Sequence, residues 1–428
     1  MSGMTPHDLE VRRRMPADGT LRRLRRRLAV VAEVADEPWD LLCGRYPNFV
    51  YHDTGDAPGH VPVFFWHGVE PVGFEQRLRY LADNDYSTLT LDELAHHLAD
   101  GAPVPDRSVV LTFDDGKLSV WQFAAPLLEK YRMHATVFVI PGYVGDGSTV
   151  RPSLTDVWAG RCTLDTLDHG ETVGPLSLMN WAELRALAAD GHVAVESHTL
   201  HHRRVFTSDR LVDYCTPTFP DEFHDVPIAP GTEHRWRDDP PDAPYGLPLY
   251  DFAPLTVTNR MFRDDPDLRV RCLEHVRRGG GWEFFTHVGW RRELGSVVRG
   301  YGRYRSDRAT AEETIELMTH EFAEARSLIR VNIPGARADH LCYPYGAGSA
   351  RAVDVARHVG YQTGSWLLPP GRRTNRPGDD PHQICRIKND WIFSLPGTGR
   401  SSCIKTVINK VRRRATRDTT ETRMRRLG

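Results

Sequence analysis

Two short runs of this sequence hold side chains able to attack a scissile bond. The first is Thr112-Phe113-Asp114-Asp115-Gly116, placed where the apolar run Val109 to Phe113 stops. Two adjacent acids are costly without a cation or a proton between them. Neighbouring residues on a strand point to opposite faces, but at a strand end the backbone turns and both carboxylates can reach one cavity. An Asp-Asp-Gly turn that merely closes a strand is the ordinary alternative. The second run is His198-Thr199-Leu200-His201-His202, delivered by a strand ending at Glu196 and Ser197. His198 and His202 can share a metal. Two neutral imidazoles and one carboxylate, Asp115, form a facial set that leaves positions open for water and substrate. Such a set suits zinc first, with cobalt, nickel or manganese as alternatives. His201 points away if the segment turns helically after His198. Histidine clusters that only decorate a surface are the competing reading.

The elements that must hold these residues alternate along the chain. Val61 to Trp66 reads as a buried strand, and Phe74, Leu78 and Leu81 mark the apolar face of the next helix. Thr90 with Glu93 forms a capping box, as do Asn180 with Glu183 and Thr310 with Glu313. Val109 to Phe113, Ala135 to Ile140, Val193 to Ser197, Leu341 to Tyr343 and Tyr361 to Trp366 read as further strands. Helices are expected over Phe123 to Lys130 and Ala350 to His358, and along the face Ile315, Met318, Phe322 and Ile329. Alternation of this kind predicts parallel strands joined by crossover helices, an α/β fold.

The run Thr112 to Gly116 followed by His198, Thr199 and His202 resembles the first two motifs of the polysaccharide deacetylase family, the NodB homology domain of carbohydrate esterase family 4. The resemblance spans roughly residues 59 to 395. It implies a distorted (β/α) barrel with its site at the carboxyl ends of the strands. It further implies a hydrolase that removes an N-acetyl or other N-acyl group from an amino sugar or glycoconjugate. Asp114 would be the base, and Asp115, His198 and His202 the metal ligands. Tyr343-Pro344-Tyr345-Gly346 resembles the third motif, which gives Tyr345 the backbone N–H that holds the oxyanion. Many relatives carry an Arg two residues before that Pro to orient the base. This chain has Cys342 there, and Arg386 is a guess for the substitute. The usual Leu-x-His general acid is absent after Tyr345. Some relatives are circularly permuted, and Trp66-His67-Gly68 matches the permuted placement, so His67 is expected to be the acid, with His382 as the next candidate.

Composition bounds the rest. The chain has 428 residues, a formal net charge of -2 and seven scattered cysteines without CxxC spacing. These features argue against a disulfide framework, a thiolate zinc site and a nucleic-acid partner. Three parts are expected: a basic extension over 1–58, a catalytic domain over 59–395 with an irregular insertion at 205–308, and a basic tail over 396–428. Trp282, Phe284, Phe285 and Trp290 in the insertion can stack on sugar rings or form local core. Leu21, Leu24, Leu28 and Val31, and Ile404, Val407, Ile408 and Val411, fall at helical spacing among Arg and Lys. Such ends can lie on an anionic membrane surface, at about 1 kcal/mol per basic residue. A cytoplasmic enzyme, in contact with the membrane surface through its ends, is the expectation. An O-acetyl esterase or deformylase, or a non-catalytic carbohydrate-binding protein, are the competing functions.

Overall fold

The computed structural model describes residues 41, 43–53, 58–167, 178–217, 245–302, 307–369 and 372–410. The basic runs of the first 40 residues and of 411–428 therefore lie outside the described residues.

The central feature is a ring of short parallel strands. β1 (Val63–Trp66), β3 (Ser108–Phe113), β4 (Ala135–Val139), β5 (Val193–Ser197), β10 (His340–Cys342), β11 (Thr363–Trp366) and β12 (Ile384–Lys388) pair in the order β1-β12-β11-β10-β5-β4-β3. A further parallel pairing of β1 with β3, Val63 opposite Val110 through Trp66 opposite Phe113, closes the sheet on itself. The short β2 (Ser87–Thr88) hangs off the outside of β3. All residues of β1, β3 and β4 are buried. A strand covered on both faces reads as an unbroken apolar run, which is why Val-Val-Leu-Thr-Phe and Ala-Thr-Val-Phe-Val were legible as strands.

Crossover helices α1 (Pro71–Asp83), α2 (Leu91–Asp100), α3 (Ala125–Tyr131) and α4 (Trp181–Asp190) follow the early strands. The caps do what their residue types dictate. Thr90, Asn180 and Thr310 each accept from the backbone three residues on while Glu93, Glu183 and Glu313 return the bond, and Gly101 and Gly191 end their helices in the left-handed conformation. One large apolar cluster, including Phe64, Phe74, Phe113, Leu128, Val137 and Leu184, fills the space between these helices and the ring.

The expected insertion is more regular than its composition suggests. β6 (Arg204–Tyr214) and β7 (Pro248–Pro254) form a bulged antiparallel ribbon, and β8 (Phe262–Arg263) pairs with β9 (Asp307–Arg308). α5 (Pro266–Arg278) and α6 (Trp290–Gly300) pack beside them before α7 (Ala311–Asn332) and α8 (Ala350–Val359) rejoin the barrel. Phe284, Phe285 and Trp290 are buried with Leu268, Cys272 and Leu294, so these aromatics form local core and offer no face to a sugar.

Both expected extensions contribute to the body of the protein. Tyr46, Phe49 and Val50 are buried in the main cluster, where Tyr46 meets Trp391 and Phe49 meets Phe64, because three apolar side chains in five residues have a surface to cover. At the other end, Asn84 and Tyr86 bond the chain at Thr398 and Pro396, and Thr406 and Lys410 are buried. Lys410 reaches Asp390 at 3.3 Å.

Candidate active site

The functional side chains collect at the carboxyl ends of the ring strands. Register explains the meeting of Asp114 and His67. Trp66 is opposite Phe113, so the next residues of β1 and β3 emerge side by side, and Asp114 N–H donates to the Trp66 carbonyl at 2.8 Å. Likewise Ser197 is opposite both Val139 and Leu341, which brings His198 level with Cys342.

Asp114 is buried and held by a two-pronged ion pair. Arg386 Nη1 and Nη2 donate to its two carboxylate oxygens at 2.7 and 3.0 Å. The guanidinium is itself buried between the rings of Phe65 and Phe138, at 5.2 and 5.6 Å. Burial raises the carboxyl's pKa, but the charge of Arg386, the nearby His198 and His67 and the hydrogen bonds from Arg386 together outweigh it and leave Asp114 below the usual carboxylate range. Cys342 Sγ lies 2.9 Å from Arg386 Nη2 and 3.8 Å from Asp114 Oδ1, and burial keeps it a thiol. The arginine that the third motif lacks thus has a counterpart on β12, which only β1 separates from β3 in the ring.

Asp115, His198 and His202 each place a potential ligand atom within 4.8 Å of the others. His198 Nδ1 is 2.9 Å from the Cys342 carbonyl. A carbonyl only accepts, so Nδ1 carries the hydrogen and Nε2 is left with its lone pair, 3.7 Å from Asp115 Oδ1. Burial pushes the His198 pKa down to about 4, which keeps the ring neutral as a ligand must be. Burial opposes the charge of Asp115, yet Lys117 Nζ at 3.3 Å and the nearby His67, His202 and His198 hold its carboxyl well below the usual range. Asp114, His198 and Cys342 also lie close enough to share an ion. Both oxygens of that carboxylate are already bonded by Arg386, so the Asp115, His198 and His202 set fits a divalent ion better.

Backbone conformation sharpens the cluster. Among the described residues eight non-glycine residues have positive φ, and four of them, Asp115, Thr199, His202 and Tyr345, are here. Such strain persists only where the surroundings impose it. Gly116 continues the Asp115 turn with φ 70°, and a Cβ there would come within 3.0 Å of Val139 Cγ1. In the Pro344–Gly346 turn Tyr345 has φ 60°, and its ring, 43% exposed, stands 4.6 Å from that of His202. A Cβ on Gly346 would collide with Leu367.

His67 is exposed at the rim and contributes to the positive field on both aspartates. His382 is not brought to the cluster. It precedes the first residue of β12, at the amino end of the ring, where its carbonyl accepts from Trp366 Nε1. His201 turns away, as expected, and its Nδ1 pairs with Glu321 at 2.9 Å.

Sequence reasoning missed two supports. Lys117 follows the paired acids by two residues and neutralises Asp115. Glu321 on α7 accepts from His201 N–H and Arg203 Nε, both at 2.9 Å, while its own carbonyl takes the Leu200 N–H, so it fixes the loop that carries His198 and His202, the two candidate ligands. Its signal was available: a carboxylate beside Met318 and Phe322 on a helix face that is otherwise apolar calls for a partner.

The sequence profile of the polysaccharide deacetylase family matches residues 101–224. A putative polysaccharide deacetylase of Bacillus subtilis (strain 168), YxkH, is 26% identical over 155 residues, covering 34% of this chain and 45% of that protein. The poly-β-1,6-N-acetyl-D-glucosamine N-deacetylase of Staphylococcus aureus (strain MSSA476) is 36% identical over 80 residues, 19% of this chain and 27% of the relative. The chain thus spans less than half the length of these curated relatives. Among solved structures, IcaB from Ammonifex degensii has a TM-score of 0.44 at 18% identity, covering 80% of this chain and 98% of its own. The Streptococcus pyogenes deacetylase PplD has 0.42 at 14%, covering 82% and 99%.

Proposed function

Because the chain is a member of the polysaccharide deacetylase family, we propose that it hydrolyses the N-acetyl group of an amino sugar within a glycan or glycoconjugate, with a divalent ion, zinc first, at the active site. The observation that carries the proposal is the pairing of a buried, ionised Asp114, locked by Arg386, with the donor set of Asp115, His198 and His202 beside it. The S. aureus relative's N-deacetylase activity supports an acetamido sugar as the substrate class.

Asp115, His198 Nε2 and His202 would hold the ion, which when bound supplies Lewis acidity toward water and the acyl oxygen. Asp114 accepts the proton of the attacking water, and Arg386 fixes the direction of its lone pairs. The backbone N–H of Tyr345 donates to the oxygen that becomes negative as the carbonyl carbon turns tetrahedral. His67 gives a proton to the departing nitrogen, so the products are acetate and a free amine. Its position beside Asp114 across the β1–β3 pair supports that role.

Contact with an anionic membrane surface is a separate part of the proposal. Ile404 and Ile408 are exposed on the helix at 403–410, immediately before the basic run of 411–428. Sedimentation with anionic liposomes, compared with a chain truncated after residue 402, tests it, and equal binding by the two would refute a role for this end.

The activity is tested by incubating the zinc-loaded protein with N-acetylglucosamine oligomers joined β-1,4 and β-1,6, and by measuring acetate and free amine together. Equal release of both, abolished in the Asp114→Asn variant, is the expected result. Acetate released only from O-acetyl sugars would identify an esterase instead.

A further inference from the structure

Outside the catalytic cluster, three arginines meet in an open groove of about 570 Å³ lined by Thr207, Asn259, Arg260, Arg308, Ala311 and Arg351, among others. Its three arginines come from separate segments: the turn after β7, the strand β9 and the first turn of α8. Ala311 is the first residue of α7, so the partial positive charge of that helix end faces the same space.

Pairing within this corner is uneven. Arg263 takes the nearby acids for itself, with Glu313 at 2.9 Å and Asp307 at 3.5 Å. Among the described residues, the side chains of Arg260 and Arg308 make no ion pair or hydrogen bond. Arg351 donates through Nη1 to the carbonyl and side-chain oxygens of Asn259, at 3.0 and 3.3 Å. Glu312 feels the charges of Arg260 and Arg351 but forms no ion pair with either. With Arg263 and its two acids included, four guanidinium groups face three carboxylates, which leaves the groove net positive, and its forked donors suit a phosphate.

The groove is also tied to the catalytic turn. Thr256 Oγ1 donates to the Ala347 carbonyl at 2.6 Å, and Ser349 Oγ donates to the Thr256 carbonyl at 2.7 Å. The segment carrying Asn259 and Arg260 is therefore bonded to the chain just past Tyr345, which places the groove beside the barrel mouth.

We propose that this groove binds a phosphate group carried by the substrate, so that the preferred substrate is a phosphate-bearing acetamido sugar or glycoconjugate. The inference rests on the deacetylase reading for its second half only.

Binding is measured first, by calorimetric titration of inorganic phosphate into protein carrying Asp115→Ala, so that a catalytic ion cannot be the acceptor. Phosphate should bind, about tenfold more weakly after Arg260→Ala with Arg351→Ala, and with recovery in the corresponding double Lys variant. Turnover is measured next, with wild-type catalytic residues, on N-acetylglucosamine 1-phosphate and on N-acetylglucosamine. The phosphorylated sugar should have the lower KM, and the double Ala variant should raise that KM alone. Phosphate binding that is absent, or unchanged by the substitutions, overturns the site. Equal KM values for the two sugars overturn its role in substrate choice. Should neither sugar be hydrolysed while phosphate binding still depends on the arginines, the phosphate site stands and the deacetylase reading falls.

Discussion

The barrel mouth and the ribbon-and-helix insertion beside it use charge in opposite ways. At the mouth the acids are paired: Asp114 with Arg386, Asp115 with Lys117, and Glu321 with His201 and Arg203. Burial makes that necessary, because an unpaired charge there costs several kcal/mol. In the insertion Phe284, Phe285 and Trp290 are sequestered in a private core, and the side chains of two of the three groove arginines form no ion pair among the described residues. The first arrangement fixes the geometry of the candidate site, and the second leaves charge available for the proposed phosphate. Precision and availability are thus divided between neighbouring regions.

The division can be broken from either side. The largest effect is expected from Asp114→Asn, which removes the proposed base while preserving size and should lower kcat by about 10³-fold in steady-state acetate release, with a lowered melting temperature as well, because Arg386 loses its buried counter-ion. A retained kcat would mean that the buried pair is structural. Phe285→Ala should do the reverse: a loss of about 3 kcal/mol in urea unfolding, from a side chain with no exposed surface, with kcat within a few-fold of wild type. A collapse of kcat in that variant would show that the insertion core shapes the site. A smaller effect, about 2 kcal/mol at neutral pH, is expected for Glu321→Gln. Burial raises the Glu321 carboxyl, but the hydrogen bond from His201 and the charge of Arg203 bring it below its ordinary value of 4.5. A depressed carboxyl contributes its stability above the unfolded value and loses it as pH falls through the folded one. The gap between wild type and variant, read from urea midpoints, should therefore be constant above about pH 5 and shrink below 4.5. A gap that is independent of pH would remove the charge from the explanation.

Legibility in the sequence follows the same division. β3 and β5 were readable because they are short apolar runs ending in chemistry, and Asn180 and Thr310 announced their helices by capping. β12 was not, since Ile-Cys-Arg-Ile-Lys sets two cations in five residues, and only the closed ring shows that Arg386 points inward to Asp114. For the same reason Arg386 could only be guessed at: 272 residues separate it from Asp114, and no local pattern joins the two. The missing arginine beside Pro344 favours a non-catalytic protein when the sequence is taken alone, and the Arg386 pair removes that ground. β6 and β7 escaped notice because the ribbon is bulged and its strands are far apart in sequence. Aromatic residues of the insertion could not be assigned to core or sugar from composition, which carries no information about which side of a surface they face.

The most direct test of the central claim is the divalent metal content of the purified protein by mass spectrometry after dialysis against buffer with trace zinc. Wild type should retain about one ion per chain, while Asp115→Ala and the His198→Ala, His202→Ala double variant should retain almost none, with Arg260→Ala as an unchanged control. A wild-type chain that holds no ion, or variants that hold as much as wild type, would contradict the assignment of Asp115, His198 and His202 and the hydrolase built on it.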